Sequence, residues 1–146
     1  MDRTAPQIDD PFFLGFYRHW EAKCGNRPYP TWPEFDPLEL QPWLGAVNVV
    51  EIEADTGRFK FRIFSQTSAS LLNVEMTGRY ADELPNYVVD TVLKDYNALV
   101  AASVPIYRVH NVGGASIHSL TVKRLLMPLS AHGDALDMIL SAMRFE

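Results

Sequence analysis

The apolar positions of this chain follow two periods. In residues 58–64, Phe59, Phe61 and Ile63 alternate with Lys60 and Arg62, the pattern of a half-buried strand. In residues 88–100, Val88, Val89, Val92, Leu93, Tyr96, Leu99 and Val100 recur at the helical period. That spacing predicts a long helix opening at Pro85 and closing near Ser103, with Asp90, Lys94 and Asp95 turned outward. Pro105 reinforces the stop, because the residue before a proline avoids helical geometry. Nearer the N-terminus, Phe12, Phe13, Phe16, Tyr17 and Trp20 make one wide aromatic helix face. Asp9 or Asp10 caps that helix, Pro11 opens it and Gly25-Asn26 ends it. So much aromatic surface has to lie on something apolar.

The intervening and following stretches supply the rest of an antiparallel sheet. Residues 46–53 and 58–64 read as two strands joined by Ala54-Asp55-Thr56-Gly57, a turn-forming tetrad. Residues 65–72 suit a short helix, 73–79 a turn around Gly78, and 81–84 a further helical turn. The last third is a three-stranded meander: 104–112, 116–127 and 136–145, with Gly113-Gly114 as the first hairpin turn and 130–134 as the second. Residues 27–43 carry Pro28, Pro30, Pro33, Pro37 and Pro42, which rules out a regular helix or central strand. Tyr29, Trp32, Phe35, Leu38, Leu40 and Trp43 within it predict a connection pinned to the domain, with a helical turn near 37–41. The expected fold is α+β: a five-stranded antiparallel sheet, with helices inserted between its second and third strands.

Both phases of the last two strands are apolar. In 116–127, Ile117, Thr121, Leu125 and Met127 stand against Leu120, Val122 and Leu126; in 136–145, Leu136, Met138 and Leu140 stand against Ile139, Met143 and Phe145. A sheet with one wet face alternates more cleanly. Both faces are therefore expected to be covered. The long helix takes one, and the N-terminal helix (Phe12, Phe13, Phe16, Trp20), from the same chain or a second subunit, takes the other as an interface.

Composition narrows the class without changing this picture. The 146 residues suffice for one domain with a real core, and a formal charge of −5 argues against nucleic acid and anionic membrane surfaces. No apolar run is long enough to span a bilayer and no secretory leader pattern opens the chain, so the expected location is cytoplasmic. Cys24, the single cysteine, excludes an internal disulfide and a multi-thiolate metal site. It falls at a helix C-terminus, the wrong end of the dipole for a thiolate nucleophile. No nucleophile elbow, zinc-protease helix, phosphate loop or dinucleotide fingerprint occurs. His110 and His118 face each other across the Gly113-Gly114 hairpin; they read as ordinary sheet histidines, since a metal pair would need a third ligand. No catalytic and no metal-binding residue is assigned.

Particular residues resemble a bacterial family of stand-alone PAS-like domains, first recognised as a domain of unknown function. They are Phe35-Asp36-Pro37 ahead of Leu44, Gly57-Arg58-Phe59 with Arg62, Thr67, Met76-Thr77-Gly78-Arg79 before Glu83-Leu84, and Arg124-Leu125-Leu126-Met127-Pro128-Leu129 with the Gly133 turn. The resemblance runs from about Trp20 to the C-terminus. Two positions depart from the family pattern: Ser65-Gln66 precede Thr67 where a glycine is usual, and Lys123-Arg124 stand where many members are acidic. The resemblance divides the chain into a helix and proline-rich connection over 1–43 and the PAS-like domain over 44–146, one structural unit overall.

It also implies a pocket between the long helix and the sheet. Phe59, Phe61, Ile63, Val92 and Tyr96 are the candidates for its apolar wall, and Thr67, Tyr107, His118 or Arg62 for its polar points, with Arg62 out of phase with the rest. These residues either bind a ligand or fill a dry core. No cofactor is assigned. Residues 66–84 lack the cysteine of a covalent flavin photosensor and 86–102 lack a haem-ligating histidine, while non-covalent flavin stays open. The implied role is regulatory and non-catalytic: sensing a small molecule, and signalling through a protein partner or a homodimer. The alternatives are a ligand-free adaptor working through the sheet's outer face, and more distantly an enzyme on a similar fold, which would need His118 or an aspartate deep in a cleft.

Overall fold

Capping chemistry starts the first helix where the aromatic pattern places it. The fold is a computed structural model, and residues 5–112 and 120–146 are described. Asp10 caps α1 (Pro11–Cys24), accepting a hydrogen bond from Phe12 N at 3.0 Å, and Gly25 ends it with φ of 58°. The chain then folds back through two short 3-10 turns, Trp32–Glu34 and Gln41–Ala46, with hydrogen-bonded turns over 36–40 between them. This connection is pinned as its aromatic content predicts. Trp32 N donates to Ser130 O, Ser130 N donates to Pro30 O, and Trp43 Nε1 donates to Phe12 O at 2.9 Å. Arg27 grips Glu34 with two charge-assisted bonds of 2.8 and 2.7 Å.

The strands β1 (Val47–Ile52) and β2 (Phe59–Ile63) come next, then α2 (Gln66–Leu72), capped by Ser65. A 3-10 turn at Ala81–Glu83 leads into α3 (Asn86–Ala102), which Ser103 ends in a left-handed conformation. The chain closes with β3 (Ile106–Val112), β4 (Leu120–Leu129) and β5 (Met138–Phe145). All pairings are antiparallel, in the spatial order β2-β1-β5-β4-β3. The expected five-stranded α+β architecture is therefore the one observed. Among the described residues no helix is long and apolar enough to cross a membrane.

Strand alternation splits the core into two layers. The outer face presents Val47, Val49, Leu125, Met127, Leu129, Met138, Leu140 and Ala142, and α1 of the same chain lies on it. Phe13, Phe16 and Trp20 are fully buried there, and Trp20 Nε1 donates to Pro128 O at 2.9 Å. The inner face presents Val50, Phe59, Phe61, Leu126 and Ile139 to Tyr96 and Leu99 of α3. Both faces are covered, as the mixed phases of β4 and β5 require. Phe12, Phe13, Phe16 and Trp20, expected to cover the sheet from the same chain or from a second subunit, pack on the sheet of their own chain in this structure. Phe12, the least buried of them, lies beneath the Arg144 guanidinium at 4.5 Å. A partner working through the outer face would meet α1 instead of the sheet.

Candidate functional site

The inner layer is incompletely filled. Where α2 and α3 meet the sheet it holds a cavity of about 50 Å3, walled by Phe61, Phe64, Leu84, Val92, Tyr96 and Met143. Ligand pockets usually run to roughly 300–1,000 Å3, so a flavin-sized or haem-sized group does not fit this arrangement. The same cavity has polar lining from Asn48, Ser68, Ser141 and Arg124.

Two hydrogen-bonded groups supply that polarity. Asn48 of β1 joins the start of α2: Ser65 N donates to Asn48 Oδ1 at 2.6 Å, and Asn48 Nδ2 donates to Ser68 Oγ at 3.1 Å. Ser65 Oγ also accepts from Ser68 N, so the helix cap and the strand amide form one unit. On the other side, the buried Asp95 of α3 accepts from Arg124 Nη1 at 2.6 Å and from Arg108 Nε at 3.4 Å. Arg108 and Arg124 are cross-strand neighbours in β3 and β4, a repulsive pairing that the carboxylate between them relieves. Burial pushes the Tyr96 phenol, next to Asp95, up to about 12.

Asp95 thus faces inward, contrary to its expected outward position. The helical period itself accommodates it there, since Val92, Asp95, Tyr96 and Leu99 lie on one stripe. A carboxylate tolerates that stripe because two guanidiniums meet it. In the same way Arg124 shares the inward phase of Val122 and Leu126. Asn48, within Val47–Val50, is the third polar residue that interrupts an apolar phase. These interruptions mark the site in the sequence; the ligand-residue assignment passed over them.

The structure divides the expected ligand set. Phe61 and Tyr96 line the cavity, as does Val92, while Phe59 packs against Tyr96 with ring centroids 5.2 Å apart. Ile63 does not line it. A register irregularity between Val49 and Val50 pairs Ile63 with the outer-face residue Val49, and it ends 38% exposed. Thr67 sits on the exposed side of α2, donating to Gly45 O at 2.9 Å. Tyr107 pairs with Leu125 and so belongs to the outer face, where it packs against Phe13. Arg62 is exposed and pairs with Glu51 at 3.2 Å. His118 and the Gly113-Gly114 turn lie outside the described residues. His110 is cross-strand from Val122, so the expected His110–His118 opposition is not the register of this hairpin.

His110 and His19 make stability depend on pH. Burial, with help from Arg124 and Arg108, lowers the affinity of His110 for protons, and its buried Nε2 has no hydrogen-bond partner among the described residues. Burial likewise lowers His19, whose Nε2 lies 3.4 Å from Glu39 Oε2 at ion-pair distance but outside hydrogen-bond geometry. As pH falls below the ordinary histidine value of about 6.5, the unfolded chain takes up protons that the folded chain refuses. The melting temperature is therefore expected to hold above pH 7 and to fall below about 6.5. A second loss follows between 4.5 and about 2, the value to which Arg27, with help from Thr31, holds Glu34. Calorimetry across pH 8 to 5 on the wild type and on His19→Gln/His110→Gln checks the first step; a profile unchanged by the double substitution would contradict it.

A model of the PAS domain family matches residues 11–144. No curated protein matches the sequence. Among solved structures, the chain is similar to a fungal LOV-domain photoreceptor at 18% identity, over 94% of this chain and 91% of that one, with a TM-score of 0.49. It is similar to the LOV protein of Rhodobacter sphaeroides at 12% identity and a TM-score of 0.48, covering 68% of this chain and 58% of the Rhodobacter chain. A third is the LOV domain of a blue-light-activated histidine kinase from Erythrobacter litoralis, at 9% identity over 68% of this chain and 94% of that one, with a TM-score of 0.43.

Proposed function

This chain belongs to the PAS domain family, and we propose that it is a non-catalytic regulatory domain that senses a small molecule in the cavity between α2, α3 and the inner sheet face. PAS domains are typically sensory modules that bind small ligands and mediate protein contacts. The observation that supports the reading here is the cavity itself, mixed in polarity and built from β1, β2, α2, α3, β4 and β5. An occupant touches both helices and the sheet at once. It therefore shifts the population of α3 and α2 packings, which is the physical requirement for a signal. The signal passes to a protein partner, or to a second copy, through contact. Asp95 has no proposed catalytic role, because both of its oxygens are held by guanidiniums.

Native mass spectrometry on protein purified from its own host tests the reading. A co-purified small molecule that is lost on denaturation, and that raises the melting temperature when added back, is the expected result. A protein that is ligand-free from its host, and whose melting temperature no host metabolite fraction shifts, would count for a ligand-free adaptor instead.

A further inference from the structure

The sheet ends in two edge strands, and they are treated differently. Along β2, Phe61 N donates to Arg79 O at 2.9 Å and Gly78 N donates to Phe61 O at 2.7 Å, so residues 78–80 cover that edge. β3 forms the other edge, seven residues long and paired with β4 from Ile106 to Val112 without a break. Alternate residues of such a strand turn their N–H and C=O groups away from the paired neighbour. Among the described residues, no backbone hydrogen bond of β3 runs to that open side. An exposed edge is a template for another strand, which proline, lysine or a bulge commonly prevents. β3 contains none of these.

The two rows of β3 side chains differ in chemistry. On the inner-face row, Asp95 lies 2.6 Å from Arg124 and 3.4 Å from Arg108, so the surplus positive charge rests on Arg108, whose side chain is 45% exposed. Only its Nε reaches Asp95; among the described residues its terminal nitrogens meet no acceptor. On the outer-face row Val109 is 53% exposed, and with Tyr107, Gln7, Ile8 and Asp9 it lines an open groove.

We propose that the open edge of β3 docks an extended segment of a partner protein in which acidic and apolar residues alternate. The inference takes up the partner contact of the regulatory reading and rests on that part of it alone; ligand sensing can fail while the edge still binds. Main-chain hydrogen bonds to the open N–H and C=O groups supply the affinity. Alternation supplies the selectivity, because residues opposite one another in paired strands share a face. A carboxylate opposite Arg108 meets the guanidinium nitrogens that Asp95 leaves unused. The next residue of the segment then falls on the outer row, where an apolar side chain covers Val109 and Ile8. The opposite phase is disfavoured. It would bring a carboxylate beside Asp9, whose Oδ1 lies 3.5 Å from the Tyr107 hydroxyl. A second copy of this chain is a poorer occupant, since the row it offers repeats Ile106, Arg108, His110 and Val112 and holds no carboxylate for Arg108.

The test titrates the intact protein into a labelled, end-blocked peptide of alternating glutamate and valine, matched to β3 in length. Fluorescence anisotropy reads the affinity, and backbone amide exchange reads the location. Expected are saturable binding and slowed exchange at β3 amides that exchange freely in the unliganded protein. The fully N-methylated peptide of the same sequence has no N–H to donate and is expected not to bind. A lysine-for-glutamate peptide is expected to bind roughly tenfold or more weakly, the usual worth of a charge-assisted bond. Arg108→Glu should invert that preference. Arg108→Gln, which spares the fold a carboxylate beside Asp95, should lower the affinity for the glutamate peptide by a similar factor and leave the lysine peptide weak. Equal affinity for the two peptides, or binding that survives N-methylation, overturns the proposal. So does protection of the open-side β3 amides before any peptide is added: lost on dilution, it assigns the edge to a second copy, and kept on dilution, to the chain itself.

Discussion

Trp20→Ala is expected to destabilise the domain by about 3–5 kcal/mol, the usual cost of emptying a large aromatic site in a core. Trp20 is fully buried between α1 and the outer face, and its indole N–H satisfies the carbonyl of Pro128 at 2.9 Å. The substitution opens a cavity and also strands that carbonyl. Trp20→Phe separates the two effects, keeping much of the ring and losing the bond, at about 1–3 kcal/mol. Against a typical domain stability of about 5–15 kcal/mol, the alanine variant sits near the threshold of folding. Urea titrations of both variants, followed by circular dichroism, provide the check. A cost under about 1 kcal/mol for Trp20→Ala would mean that α1 is not docked in solution. The same titration, run over a hundredfold range of protein concentration, distinguishes a helix covering its own sheet from one exchanged between subunits. Only the exchanged helix makes the midpoint depend on concentration.

That α1 covers an apolar sheet face was legible because β4 and β5 carry apolar groups in both phases, and Phe13, Phe16 and Trp20 offered the matching surface. The element order and the five strands were legible for similar reasons of period and turn chemistry. Which chain supplies the helix was not, since a swapped helix buries the same residues. The pocket was harder to read. Phe61 and Tyr96 reach it because simple alternation and helical spacing hold at those positions. Ile63 follows the same alternation in sequence, but the irregularity opposite Val49 and Val50 turns it to the other face, and no side-chain pattern announces that extra residue. Tyr107 failed for a different reason. On an edge strand whose two phases mix Ile106, Arg108 and His110 with Tyr107 and Val109, only the register with Leu125 decides the face. Asp95 and Arg124 were legible in principle, each being a charge within an apolar phase. The assumption that charges point to water concealed them, although a buried pair satisfies its own desolvation in part.

The Asp95–Arg124 pair is the second place where a single substitution should be costly. Asp95→Ala leaves two neighbouring guanidiniums without their shared carboxylate, and removing one partner of a buried pair costs about 3–5 kcal/mol. Arg124→Met leaves the carboxylate with Arg108 alone, at 3.4 Å, and that guanidinium is half exposed. Its cost should be smaller, because Met replaces the aliphatic stem and Arg108 stays within reach. The double variant Asp95→Ala/Arg124→Met should recover much of the loss, giving a coupling energy of about 1–3 kcal/mol in a double-mutant cycle. Additive losses would show that the two residues act separately and that α3 is not tied to β4 through them.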